Sequence, residues 1–291
     1  MAKRDTLLRV EDIQVDSREY QLVAETIEQY KLLDDVNNVV FLFSGGKDAT
    51  FGLLAMDNYL RTHRPDISLN AVMVTYPTHV YYEKDGKPRA SFEKLKNFWR
   101  EAGVAVDIYD SPEPDLEEAA TQGCKICKHA RKTIVDAYLK RWIGKPGKTA
   151  IVTGYTLYDI LAYLDEFGLY TNFTYDINSV DEHLTKRVKN CLHKMSVRED
   201  LPNGLRLIRP LVRLKENDIL QYITSRDIPY MNHPCIAAEG KHKRAYFGGL
   251  NLLAHADRSS YSGIMDFLDR HHVQLPETFD DVEDQGFFTD C

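Results

Sequence analysis

Two hydrophobic rhythms alternate along the chain. Val39 to Phe43 is an unbroken apolar run rich in β-branched and aromatic side chains, and Leu69 to Val74, Val104 to Tyr109 and Lys148 to Gly154 are further short segments with apolar centres. Runs of this length fit strands buried on both faces of a parallel sheet. The stretches between them have apolar residues at helical spacing. These predict helices over Ala49 to Leu60, Ser91 to Ala102, Gly123 to Trp142 and Leu157 to about Phe167. Upstream, Leu22, Val23, Ile27, Tyr30 and Leu33 mark a helix over Arg18 to Leu33. Downstream, Arg206 to Leu211 reads as a short strand, Lys215 to Ser225 as a helix opened by Glu216 and Asp218, and Tyr261 to Arg270 as a final helix. Repeated strand-helix alternation implies right-handed crossovers and a mainly parallel sheet with helices on both faces, an α/β architecture. The expected organisation is a helical extension over 1–36, a main domain over 37–258, and a C-terminal helix with an acidic tail over 259–291.

In such sheets a ligand sits beyond the carboxyl ends of the strands, at the topological switch point. Three segments fall there: Ser44 to Asp48, Val74 to Tyr76, and Gly154 to Asp159. The first is Ser44-Gly45-Gly46-Lys47-Asp48, a glycine-rich turn between an apolar strand and a helix. Glycines let the backbone turn sharply and bring N–H groups close to a ligand. The helix start that follows offers unpaired donors and a partial positive charge, which suit a phosphate or pyrophosphate. Lys47 adds a point charge and Asp48 a hard oxygen ligand for magnesium. The Walker spacing is absent, and so is Gly-x-Gly-x-x-Gly.

Charge narrows the partners. The formal net charge is −7 over 291 residues, so the molecule as a whole has no field that draws in nucleic acid. Basic residues do gather locally, over Lys125 to Lys148, His183 to Arg198 and Lys241 to Arg244. No run is long and apolar enough to span a membrane and no signal-peptide core follows Met1, so the cytoplasm is the expected location. Five cysteines without a secretory signal argue for metal or thiol chemistry over a disulfide framework. Cys124-Lys125-Ile126-Cys127, with a distant Cys235, fits either part of an iron–sulfur site or zinc, the latter completed by His233 or His129. A thioredoxin-like dithiol would follow the first strand, and this one follows the third. Cys191, between Lys189 and Lys194, reads as a semi-buried thiol rather than a sulfur carrier, and Cys291 as incidental.

Ser-Gly-Gly-Lys-Asp after an apolar strand resembles the pyrophosphate loop of the PP-loop ATPases. Together with Cys124-x-x-Cys127, Gly154 to Asp159 and Cys235, it resembles the iron–sulfur-dependent tRNA 2-thiolation enzymes of that superfamily, of the 2-thiocytidine and 2-thiouridine type, from about Asn38 to Arg244. The resemblance implies a Rossmann-like, adenine nucleotide alpha hydrolase-like fold. It also implies an ATP-dependent, AMP- and pyrophosphate-forming sulfurtransferase using ATP, Mg2+ and a 4Fe-4S cluster. By that likeness Cys124, Cys127 and Cys235 hold the cluster. Ser44, Gly45, Gly46, Lys47, Asp48, Val74, Tyr76 and Gly154 bind the nucleotide, and Lys47, Asp48, Arg131 and Asp159 act in the chemistry. The implied partners are tRNA and a sulfur donor (sulfide or a persulfide carrier); the sequence leaves the oligomeric state open, a homodimer included. Gly154-Tyr155-Thr156-Leu157-Tyr158-Asp159 departs from the Gly-His-x-x-Asp-Asp of those enzymes, and the net charge is acidic. A small nucleobase-like substrate therefore stays beside tRNA as an alternative, as does a zinc-containing PP-loop ligase or amidotransferase.

Overall fold

A computed structural model describes residues 17–116, 123–145, 147–173 and 182–238. The chain runs α1 (Arg18–Gln29), β1 (Val36–Leu42), α2 (Lys47–His63), β2 (Ser68–Val74), α3 (Thr78–Tyr81), α4 (Ala90–Glu101), β3 (Val106–Tyr109) and α5 (Gly123–Leu139). It continues through β4 (Lys148–Val152), α6 (Leu157–Phe173), α7 (Glu182–Met195), β5 (Arg198–Leu201), β6 (Leu205–Ile208) and α8 (Glu216–Ser225). The expected helix over Tyr261 to Arg270, the acidic tail, Lys241 to Arg244 and Cys291 lie outside the described residues.

The six strands are ordered β3-β2-β1-β4-β6-β5 and are all parallel except β5, which runs antiparallel to β6. From β1 the chain first builds outward through β2 to β3, then returns to place β4 on the other side of β1. The switch point therefore lies between β1 and β4, beyond Leu42 and Val152. Alternate strand residues serve opposite faces. Val39, Phe41, Met73 and Val152 pack in one core with residues of α1, α2, α4 and α8, whereas Val40, Val72, Val74 and Ile151 pack in a second with Ala130, Val135 and Leu139 of α5. The fold is thus an α/β, Rossmann-like, mostly parallel sheet covered on both faces. Gly52 permits the close seat of α2 on β1, since a Cβ there would lie 2.9 Å from both Phe41 and Leu211.

Some elements differ from expectation. The strand expected over Arg206 to Leu211 covers Leu205–Ile208, and Pro210, which has no N–H to donate to a ladder, lies just past its end. The expected helix ending at Trp142 stops at Leu139, and α6 extends to Phe173. Two elements lie outside those expectations. β5 is Arg-Glu-Asp-Leu at the sheet edge, with no hydrophobic signature, and α7 falls in the basic run although Leu184, Val188, Cys191, Leu192 and Met195 recur in it at helical spacing. Among the described residues, no helix is long and apolar enough to cross a membrane.

Candidate active site

The carboxyl ends of β1, β2 and β4 open onto a cavity of about 600 Å³. Its wall includes Ser44, Gly46 and Asp48 from the glycine loop, Val74 at the end of β2, Cys124, Cys127 and Arg131 from α5, Gly154 after β4, Asp159 in the first turn of α6, and Cys235. Segments separated by up to about two hundred residues in sequence therefore meet at the switch point. Gly45, Lys47 and Tyr76 are not in the wall.

Gly45 instead anchors the loop. Its φ is +76°, and an added Cβ would come within 2.9–3.0 Å of Met231, Leu95 and Met73, so no other residue fits both the conformation and the space. Its carbonyl accepts the Met231 N–H at 2.7 Å and the Thr50 hydroxyl at 3.3 Å. The Ser44 carbonyl accepts the Tyr81 hydroxyl at 3.1 Å. Gly46 then caps α2 with extended backbone (φ −68°, ψ 166°) and no side-chain cap, leaving first-turn N–H groups available to an anion. Gly154 lets the end of β4 approach this turn, since its Cβ position lies 3.4 Å from the Ala49 backbone.

Charge is concentrated at the helix start. Lys47 Nζ lies 3.0 Å from Asp48 Oδ2 and 2.9 Å from Glu216 Oε1. Burial acts to lower the lysine pKa, but the two carboxylates outweigh it and the group is held above its ordinary value. Asp48 also moves up, which for a carboxylate disfavours the charged form. Burial, with Glu216 and Asp159 adding repulsion against the pull of Lys47, raises it to about 6. Its Oδ1 is buried with no hydrogen-bond partner, an oxygen left over for a cation. A carboxylate oxygen of this kind suits Mg2+ by donor type. Asp159 Oδ2 accepts the Thr156 N–H at 2.9 Å and the Thr156 hydroxyl at 3.3 Å. This reaches back over the first turn of α6 as a capping box does.

The opposite wall is sulfur and cation. Cys124 is exposed, while Cys127 and Cys235 are half-buried. Cys124 Sγ lies 3.4 Å from the Ala237 carbonyl and Cys127 Sγ 3.8 Å from the Tyr76 carbonyl. Tyr76 is fully buried, with its hydroxyl donated to the Pro114 carbonyl at 2.9 Å, so its contact with the cysteine wall is through its backbone. Lys128, Arg131 and Lys132 line the same cavity. Three thiol donors on one cavity suit a soft iron–sulfur group by donor type. Among the described residues, however, no three His, Cys, Asp or Glu side chains are gathered closely enough to hold a metal ion. Neither His129 nor His233 joins the wall.

No family model matches the chain. The tRNA-cytidine(32) 2-sulfurtransferase 2 of Francisella tularensis subsp. novicida is 26% identical over 219 residues, 73% of each chain. The tRNA-cytidine(32) 2-sulfurtransferase of Neisseria gonorrhoeae is 26% identical over 242 residues, 81% of this chain and 65% of that one. In structure, the U34-tRNA thiolase NcsA from Methanococcus maripaludis, solved with its [4Fe-4S] cluster, superposes with a TM-score of 0.60 at 19% identity, covering 86% of this chain and 77% of its own. This chain resembles tRNA sulfurtransferases in sequence and a tRNA thiolase in fold. The resemblance to PP-loop tRNA 2-thiolation enzymes drawn from the motifs is thereby borne out.

Beyond that resemblance, two features of the site escaped the motifs. Glu216 was readable only as a first-turn acid of α8, yet its carboxylate reaches Lys47. The pair His79 and Asp115, 2.9 Å apart, stands next to the Cys235 segment with no spacing signature to announce it. Cys191 is buried, 2% exposed, which fits a packing residue rather than a carrier of sulfur.

Proposed function

We propose that this protein is an ATP-dependent sulfurtransferase that adenylates a nucleobase carbonyl of tRNA and replaces that oxygen with sulfur. The observation that carries the reading is that the glycine loop and the three thiols share one cavity at the switch point. The sulfurtransferase names of the relatives support tRNA as the substrate.

The free N–H groups at the start of α2 hold the leaving pyrophosphate. Lys47 offsets the charge that builds on the phosphates as the carbonyl oxygen attacks the α-phosphorus and pyrophosphate departs, and Asp48 would hold an Mg2+ ion that would supply further positive charge there. Arg131 faces the phosphates and substrate from the thiol wall. Cys124, Cys127 and Cys235 would hold a 4Fe-4S cluster, which would supply a binding place for sulfur. Sulfide-level sulfur then adds at the activated carbon, and AMP leaves with the original oxygen.

Anaerobic purification with iron and sulfide assays, followed by mass analysis of treated tRNA, tests this. Iron and sulfide in the native protein, lost on changing Cys124, Cys127 or Cys235 to serine but kept in Cys191→Ser, is the expected result. Zinc without sulfide would reject the cluster and favour a ligase. The acidic net charge of −7 favours a second reading, a small nucleobase-like substrate in place of tRNA.

A further inference from the structure

The segment that carries Cys235 is fastened at two points. On one side the Met231 N–H donates to the Gly45 carbonyl at 2.7 Å. On the other, the Ile236 N–H donates to His79 Nε2 at 3.2 Å. Cys235 lies between them, one peptide from the second fastening. The bonds also define the imidazole tautomer: Nε2 accepts the Ile236 N–H and so carries no hydrogen, which leaves Nδ1–H to donate to Asp115 Oδ2 at 2.9 Å. The same carboxylate accepts the Thr78 N–H at 2.7 Å and the His79 N–H at 2.8 Å, so three donors converge on it. Arg89 Nε holds the His79 carbonyl at 2.9 Å. The ring is therefore locked in place and orientation, and its one free acceptor is spent on the peptide next to the thiol.

We propose that His79, oriented by Asp115, is a positioning residue for Cys235, fixing the third thiol in the cavity wall through the Ile236 amide. This rests on the reading of the three cysteines as cluster ligands. Two of them, Cys124 and Cys127, share the rigid frame of α5. The third sits on a loop, and a loop thiol needs an external clamp to stay at a fixed distance from a helix. His79 supplies that clamp from the turn after β2, the same turn whose Tyr81 holds the Ser44 carbonyl. One short element thus ties the third thiol to the pyrophosphate loop.

The test compares His79→Ala and His79→Gln in the full chain. In metal-free protein, the alkylation rates of Cys235 and Cys127 by iodoacetamide are measured from their peptides and taken as a ratio. Iron and sulfide are then assayed after anaerobic reconstitution. The alanine variant is expected to raise the Cys235 to Cys127 ratio about five-fold, the effect of one lost hydrogen bond on a local opening, and to retain less iron. Glutamine, whose Oε1 can still accept the Ile236 N–H, is expected to bring both values back towards wild type. An unchanged ratio in His79→Ala, a glutamine variant as altered as alanine, or both thiols speeding up together would overturn the proposal. If native protein holds no iron or sulfide, the cluster reading falls, while the thiol ratio still decides the role of His79.

Discussion

Lys47 Nζ stands 2.9 Å from Glu216 Oε1, so the lysine of the pyrophosphate loop is tied to the first residue of α8, an element about 170 residues further along the chain. The same ammonium also holds Asp48, which makes it the hub of a small charge network rather than a free arm. Removing it should leave two carboxylates facing each other with no cation between them. Lys47→Ala is expected to lower ATP-dependent AMP formation by about 10²-fold or more while leaving the far-UV spectrum unchanged. A fully active variant would reject the loop as the ATP site.

Asp48 gives a pH prediction of definite sign. Its folded value, about 6, lies above the ordinary 3.8. The stability it contributes is therefore present in full below pH 3.8 and lost as the pH rises through about 6. At about 1.4 kcal/mol per pH unit, ionised Asp48 costs up to about 3 kcal/mol at neutral pH. Asp48→Asn should raise the thermal midpoint at pH 8 in the absence of Mg2+, with the advantage gone at pH 4, and should abolish activity. A lower midpoint than wild type at pH 8 would show that the lysine contact outweighs burial.

The far end of the sheet behaves oppositely. Arg206, fully buried, donates to Asp200 at 2.7 Å and to the Asp34 and Leu32 carbonyls at 2.6 and 3.3 Å. Burial would raise the Asp200 pKa, but Arg206, Lys148 and Arg198 outweigh it and hold the carboxyl at about 2. That contribution is present above pH 3.8 and lost as pH falls towards 2. Arg206→Leu is expected to destabilise the protein by about 2–4 kcal/mol, chiefly through the orphaned carbonyls. Urea unfolding at pH 7 measures this, and a loss under about 1 kcal/mol would contradict it.

tRNA binding should depend on local charge against an unfavourable total. Lys128, Arg131 and Lys132 face the cavity together. If they meet phosphates, changing all three to alanine should reduce the slope of log affinity against log salt by about 2–3. Gel-shift titrations with bulk tRNA at two salt concentrations read this directly. No salt-sensitive complex at micromolar protein would favour the small-molecule substrate instead.

The sheet and glycine loop were legible because both are local. Val39 to Phe43 announces a buried strand, and two glycines followed by Lys47 and Asp48 announce an anion-binding helix start. Gly154, Asp159 and the cysteines could be placed by motif order. What the sequence hid was non-local or polar. β5 pairs at an edge through backbone bonds that its Arg-Glu-Asp-Leu side chains do not advertise. Likewise, His79, Asp115 and Glu216 acquire partners only when the segments that follow β1, β2, β3 and β6 converge. Tyr76, expected to bind nucleotide, sits at the right strand end but turns its ring into the core, because its hydroxyl finds Pro114 there.

The capping box at α6 sets a condition on the chemistry. As long as Asp159 keeps the Thr156 N–H, its Oδ2 is engaged by its own helix. For Asp159 to serve substrate with that oxygen, the helix must surrender its cap, at about 1 kcal/mol. Occupancy of the site would then be felt as fraying of the first turn of α6, and the Thr156 amide should exchange with solvent faster when ATP and substrate are bound than when the site is empty. Slower exchange would show the carboxylate serving both through its other oxygen. Either way, the beginning of a helix is the reporter of what the cavity holds.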